Sequence, residues 1–321
     1  MFKRMLSAFG VGGPSVDTVL DSPHAVPGEV ITGQVRIQGG SSDAQIEEIL
    51  LSLVTRVEVE RGDHERAGTA EFLRVSAGRK VKVTAGQLTT IPFQLALPWE
   101  TPISAVGGRE LPGMVVGVRT ELVIAGAPDK GDLDPVLVGP LDSQDRVLEA
   151  FGELGFSFRS ADVEAGQLHG VRQELGFFQE IEFFPPSRYA GRVSQVELTF
   201  VAGPDDLVVV LEADRRGGMF RSGGDSFGRF HVSHEEALRT DWAAAIDGWL
   251  AKVAESGGGH AMFGGHQEHY DHDHHGHHGH HGRRGPGMGG MVAGAAAGVV
   301  GGMILGEVME DAFDGGEGFE E

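Results

Sequence analysis

Between Val16 and Ala125, apolar residues recur at every second position, in runs closed by turn residues. In Val30–Gln38, VITGQVRIQ, the side chains of Ile31, Val35 and Ile37 share a face with Gly33, while Thr32, Gln34 and Arg36 take the other. A period of two belongs to a strand with one buried face. Ile49–Glu60, ILLSLVTRVEVE, repeats the pattern with Leu51, Leu53, Val57 and Val59 beside Thr55. Shorter runs follow at Glu71–Val75, Val81–Val83, Thr90–Ala96 and Met114–Ile124, punctuated by pairs such as Pro27-Gly28, Gly39-Gly40, Gly62-Asp63 and Pro112-Gly113. About seven short strands without intervening helical stripes predict a sandwich rather than a β/α/β unit.

The next stretch, 126–141, GAPDKGDLDPVLVGPL, is rich in Pro, Gly and Asp and reads as a connector crossed by a short apolar strand, Val136–Val138. Beyond it the period changes. Ser143 is placed to cap a helix over 143–154, with Leu141 and Val147 as a staple and Val147, Leu148, Phe151 and Leu154 as its stripe. Strand patterns return at Phe156–Ser160, Gly170–Phe184, Arg192–Ala202, Leu207–Ala213 and Phe230–Val232. The phenylalanine pairs Phe177, Phe178 and Phe183, Phe184 read as core. A helix over 234–254 is predicted by the capping box Ser233–Glu236 and by Leu238, Trp242, Ile246, Trp249 and Val253. The expected fold is therefore all-β, with two β-sandwich domains, a few short helices and a low-complexity C-terminal tail. The expected divisions are 1–125, a connector 126–141, a second sandwich 142–256, a His/Gly-rich tract 257–284 and an apolar, glycine-ridged segment with an acidic end, 285–321.

Charge and composition narrow the function. Among 321 residues, 47 Asp and Glu face 26 Lys and Arg, for a formal net charge of -21. Such a balance argues against nucleic acid, whose backbone needs positive charge on its partner. With no cysteine, disulfides, thiolate metal sites and cysteine nucleophiles are excluded. Enzyme-like fragments also fail: Arg61-Gly62-Asp63 fits a hairpin loop, His231 and His234 have no third ligand in sequence, and Asp129, Asp132 and Asp134 depart from a calcium-loop spacing. Met1–Phe9 carries Phe2, Met5, Leu6 and Phe9 on one helical face, suited to docking on its own domain or, alternatively, to a membrane or partner anchor.

The tail carries the strongest local chemistry. Ten of the 15 histidines lie between His260 and His281. His266, His269, His272, His274, His275, His277, His278, His280 and His281 offer imidazoles suited to Ni, Zn or Cu, although the glycines among them fix no geometry. No cofactor is required by this reading; weak metal binding on the tract is its expectation. Gly290, Gly294, Gly298, Gly302 and Gly306 recur every four residues, a bare ridge on which helices could pack. Self-association or partner packing, peripheral membrane contact and an unstructured apolar tail all remain open for it.

The order of several stretches resembles the bacterial sporulation-control protein M family, an arrestin-like group. They are FKRMLSAFGVGGPSVDTVLDSPHAVPGEVITGQVRIQGG (2–40), IEEILLSLVTRVEVE (46–60), IPFQLALPWETPIS (91–104) and VGVRTELVIAGAPDKGDLDPVLV (116–138), then VLEAFGELGFSFRSADVE (147–164), FFQEIEFFP (177–185) and VVLEADRRGG (210–218). The resemblance implies two arrestin-like β-sandwich domains and a non-enzymatic, cytoplasmic role in sporulation or development, with no catalytic residues. The His-rich, glycine-ridged tail resembles extensions of actinobacterial members. The function expected is that of an adaptor or scaffold acting through protein partners, with sheet edges and the loop Trp99, Glu100, Thr101, Pro102 as candidate contacts. The alternative is a metal buffer or delivery protein that uses the histidine tract.

Overall fold

Alternation along the chain produces β1 (Ser15–Leu20), β2 (His24–Ala25), β3 (Val30–Gln38), β4 (Ala44–Arg61), β5 (His64–Val83), β6 (Leu88–Ala96), β7 (Ala105–Val106), β8 (Arg109–Glu110), β9 (Val116–Ile124), β10 (Lys130–Pro135) and β11 (Leu137–Val138). After α1 (Asp142–Leu154) come β12 (Ser157–Ala165), β13 (Phe177–Phe184), β14 (Val193–Ala202), β15 (Asp206–Arg215) and β16 (Asp225–Ser233), then α2 (His234–Ala237) and α3 (Trp242–Ser256). This computed structural model describes residues 12–61, 64–124, 130–215 and 225–256.

The hairpin of β4 and β5 organises the molecule. The two strands pair antiparallel from Ala44↔Val83 to Arg61↔His64, longer than the separate runs expected over 49–60, 71–75 and 81–83. Since β5 occupies one side of β4, the other side is divided. Ile46–Thr55 pair with β9, and Glu58 pairs in parallel with Glu164 of β12. The large sheet thus runs β10-β9-β4-β12-β13-β14-β15-β16, and a three-stranded sheet, β1-β3-β6, stands apart from it.

Two cores result. In the first, Ile31, Val35 and Ile37 of β3 and Leu95 of β6 join Ile49, Leu51, Leu53, Val118 and Leu122 of the large sheet, as a sandwich requires. In the second, Val163, Ile181, Phe183, Leu198, Val209 and Leu211 join Val147 and Phe151 of α1 and Trp242, Ile246 and Leu250 of α3. Val57 and Ala70, from the far end of the long hairpin, belong to this second core. The hairpin therefore contributes to both.

Three expectations need correction. Among the described residues the second half holds one antiparallel meander covered by helices, not a second pair of sheets. Alternation tells that one face of a strand is buried, but a helix pair satisfies it as well as a sheet. The connector is also structured: Lys130–Pro135 pairs with β9, and Leu137–Val138 pairs in parallel with His24–Ala25. Finally, the helix over 234–254 is broken. Ser233 does cap α2 by accepting from the Glu236 N–H, but Asp241 Oδ1 accepts from Ala244 N–H and begins α3 afresh. Trp242 Nε1 donates to the Ala237 carbonyl across the break, which leaves Leu238 exposed rather than on the apolar stripe.

The expected cap of α1 moves as well. Gln144 Oε1 accepts from Leu141 N–H, while Ser143 is buried within the first turn and bonds elsewhere. Gly155, at φ +84°, closes the helix in the left-handed conformation that glycine adopts without strain.

Candidate interaction surfaces

The segment 98–104 lies at the seam between the halves. Thr101 and Pro102 are buried, and Trp99 and Glu100 are half-buried. Gly28, at φ +82°, leaves room for the Trp99 ring, since a Cβ there would stand 2.7 Å from ring carbons. On the other side of the seam, Trp99 faces His234, with ring centroids 6.0 Å apart. The Glu100 carboxylate accepts from Glu174 N–H and Leu175 N–H, both at 2.8 Å, in the loop between β12 and β13. Burial pushes the Glu100 carboxyl above its ordinary range despite these two donors, and Glu174 adds to the rise.

Gln179 completes the seam. Its Oε1 accepts from Ile103 N–H at 2.9 Å and its Nε2 donates to Ile103 C=O at 2.7 Å, all buried. The amide thereby imitates a strand partner for a backbone that has none nearby. Ser104 ties the same segment to β11: its Oγ donates to Val136 C=O and accepts from Val138 N–H. Truncating Gln179→Ala strands two buried backbone groups. We expect it to cost about 2–4 kcal/mol in urea unfolding, with a substitution at exposed Gln94 as the near-neutral control.

A second feature lies on the uncovered face of the second sheet. Register places Glu58 beside Glu164, Asp162 beside Glu180, Glu182 beside Glu197, and Glu197 beside Glu212. Like charges directly opposite each other on a sheet are unfavourable. Burial, then the carboxylates of Glu164, Glu197, Asp162 and Glu212, push the Glu180 carboxyl up to about 10. Glu197 is pushed up to about 7, by burial and then by Asp214, Glu182 and Asp162, against a hydrogen bond from Gln195. At neutral pH Glu180 is therefore protonated, and the repulsion is relieved by carboxyls that keep their protons. Asp162, Glu164 and Glu180 bring oxygens within 4.8 Å of one another, a spacing that a hard cation would also accept. Arg159 and Ser160 both reach Glu182 at this rim.

Sequence reasoning missed this face and the role of Gln179. In FFQEIEFF the alternate carboxylates Glu180 and Glu182 are visible, but their neighbours on β12, β14 and β15 come together only through register. His231 contacts Asp206, and His234 contacts Ser143 and the Gly203 carbonyl, so both histidines are satisfied without a metal. Asp132, far from forming a cation loop, accepts from Thr18 N–H across the first core's edge. Phe177 and Phe183 are buried, whereas Phe178 is half-buried and Phe184 exposed. The expected metal ligands His266–His281, the glycine ridge Gly290–Gly306 and the Met1–Phe9 stripe lie outside the described residues.

Two cores on one continuous sheet, with the 98–104 segment holding them together, define a β-rich protein of the sporulation-control type. The sequence profile of the SpoOM protein family (Spo0M) matches residues 2–217, and the chain belongs to that family. It is 35% identical over 218 residues to the sporulation-control protein spo0M of Bacillus subtilis (strain 168), covering 67% of this chain and 81% of that protein. The crystal structure of Spo0M, sporulation control protein, from Bacillus subtilis is similar, with a TM-score of 0.66 and 29% identity over 76% of this chain and all of that one. Among the described residues no helix is long and apolar enough to cross a membrane.

Proposed function

We propose that the protein is a non-enzymatic adaptor of sporulation or developmental control, working in the cytoplasm through protein–protein contacts on arrestin-like sheets. The observation that carries this reading is the family match, which runs through both cores and the seam that joins them. An adaptor needs a rigid body with an open surface, and the sheet edge at β16 supplies one. Among the described residues β16 pairs only with β15, and Phe227 stands 65% exposed on it. A partner segment that adds to this edge would gain main-chain hydrogen bonds and a side-chain anchor. The Trp99–Pro102 loop contributes by holding the two halves together rather than by facing outward.

Tagged full-length protein, recovered from growing and from developing cells, tests the reading. We expect a protein partner that co-purifies reproducibly, and at least a fivefold loss of it with Phe227→Asp at unchanged thermal stability. A purified protein that turned over a substrate while recovering no partner from either culture would overturn the adaptor reading. The rival, a metal buffer using His266–His281, is favoured only by the density of imidazoles in that tract. A chain ending at residue 259 separates the two readings, since the adaptor role predicts unchanged metal content in cells and the rival predicts a fall.

A further inference from the structure

His234 is the one ionisable ring among the described residues that touches both halves. Its Nε2 lies 2.9 Å from the Gly203 carbonyl, which can only accept, so Nε2 carries a proton. Its Nδ1 lies 2.8 Å from Ser143 Oγ. A hydroxyl both donates and accepts, so Ser143 gives its proton to a neutral ring and receives one from a charged ring without moving. The third neighbour is Trp99, from the first half of the chain, tilted 31° to the imidazole at 6.0 Å between centroids.

We propose that His234 is a proton-sensitive clasp: on gaining its second proton it holds the Trp99 ring more tightly and stiffens the seam. The charge is what changes. A neutral imidazole offers Trp99 only dispersion, whereas an imidazolium is drawn to the indole face as cations are. Histidine is the side chain whose charge ordinarily changes between pH 5 and 8. The ionisable groups on the surrounding elements are mostly carboxylates: Glu235 and Glu236 on α2, Asp205 and Asp206 on the β14–β15 turn, Asp142 and Asp145 on α1, and Glu100 beside Trp99. The cations there, Arg146 and Arg239, are held by Glu149 and Glu235, and His231 by Asp206. A charged ring at 234 therefore meets no opposing free cation. The consequence is regulatory. Whatever partner the sheets carry, the mutual order of the two halves would follow pH.

Amide exchange in the full-length chain tests the clasp without reference to any partner, so its failure is distinguishable from failure of the adaptor reading. The probes are Ile103 N–H and Leu175 N–H, which bond across the seam to Gln179 and Glu100. After correction for intrinsic exchange, their protection is expected to rise at least about threefold between pH 8 and pH 5.5. In His234→Gln and in Trp99→Leu that rise disappears. Equal protection at both pH values in the wild type, or a rise that survives in His234→Gln, overturns the proposal. Should Trp99→Leu fail to fold, the comparison of wild type with His234→Gln decides the matter alone. Ring nitrogen shifts of His234 provide a second check: a ring that stays neutral throughout this range also overturns it.

Discussion

Raising the pH from about 5 to about 9 should weaken the folded protein by on the order of 3 kcal/mol, and Glu180→Gln should remove most of that loss. Glu180 and Glu197 sit in the folded state with carboxyls pushed up to about 10 and about 7. In the unfolded chain both titrate as ordinary glutamates. Folded-state values above unfolded ones mean that the native protein holds protons the unfolded chain has released. The stabilisation is complete below the ordinary glutamate range and is lost as pH rises through the two folded values. Glu197 accounts for the slope up to about 7; above that, Glu180 carries it alone. Urea midpoints measured at about pH 7.5 and about pH 9 isolate the second part. Wild type should fall across this interval and Glu180→Gln should stay level, because an amide keeps the shape without the proton. Asp43, Glu48 and Asp247 are held below their ordinary range by hydrogen bonds and so titrate outside this window.

The largest single destabilisation is expected at Phe151. Its ring lies 4.5 Å from that of Phe156 and 4.6 Å from that of Phe183, between α1 and the second sheet, and it is fully buried. Phe151→Ala should cost about 3–5 kcal/mol, from lost transfer energy and from the cavity that three converging aromatics cannot close. Phe184→Ala, one position along from Phe183 on the exposed face, should cost less than about 1 kcal/mol. Chemical denaturation of both variants checks the contrast. Similar losses at the two sites would mean that the sheet faces are assigned the wrong way round.

That contrast also marks how far sequence reading reaches. In β13 the alternation of Phe177, Gln179, Ile181 and Phe183 against Phe178, Glu180, Glu182 and Phe184 is written in the sequence, and it sorts the strand correctly into two faces. What lies against each face is not written there. The apolar side meets α1 and α3 instead of a second sheet, because burial of alternate residues is indifferent to the identity of the cover. The polar side becomes an acidic face only when the intervening connections bring β12, β14 and β15 beside it in register. Helix starts are legible where the cap is local, as at Ser233, and misplaced where a side chain finds a distant partner. Ser143 is the example: in isolation it is a good cap, but His234, 91 residues on, takes its hydroxyl.

The loop at 99–102 shows the same limit. Trp, Glu, Thr and Pro in succession read as an exposed contact, since the residues that enclose them are remote. Glu100 is held by backbone groups 74 and 75 residues away, and Ile103 by Gln179, 76 residues away. A single glutamine between two aromatic pairs gives no local sign of such a role. The metal and helix-packing expectations for the tail stand apart from this comparison, because they concern residues beyond 256.

Differential scanning calorimetry of the full-length chain tests most directly whether the long hairpin and the seam make the two cores one body. A single body predicts one transition whose calorimetric and van't Hoff enthalpies agree, and its separation into two when Gln179→Ala is combined with Glu100→Ala. Two resolved transitions in the wild type, at temperatures unaffected by those substitutions, would contradict it.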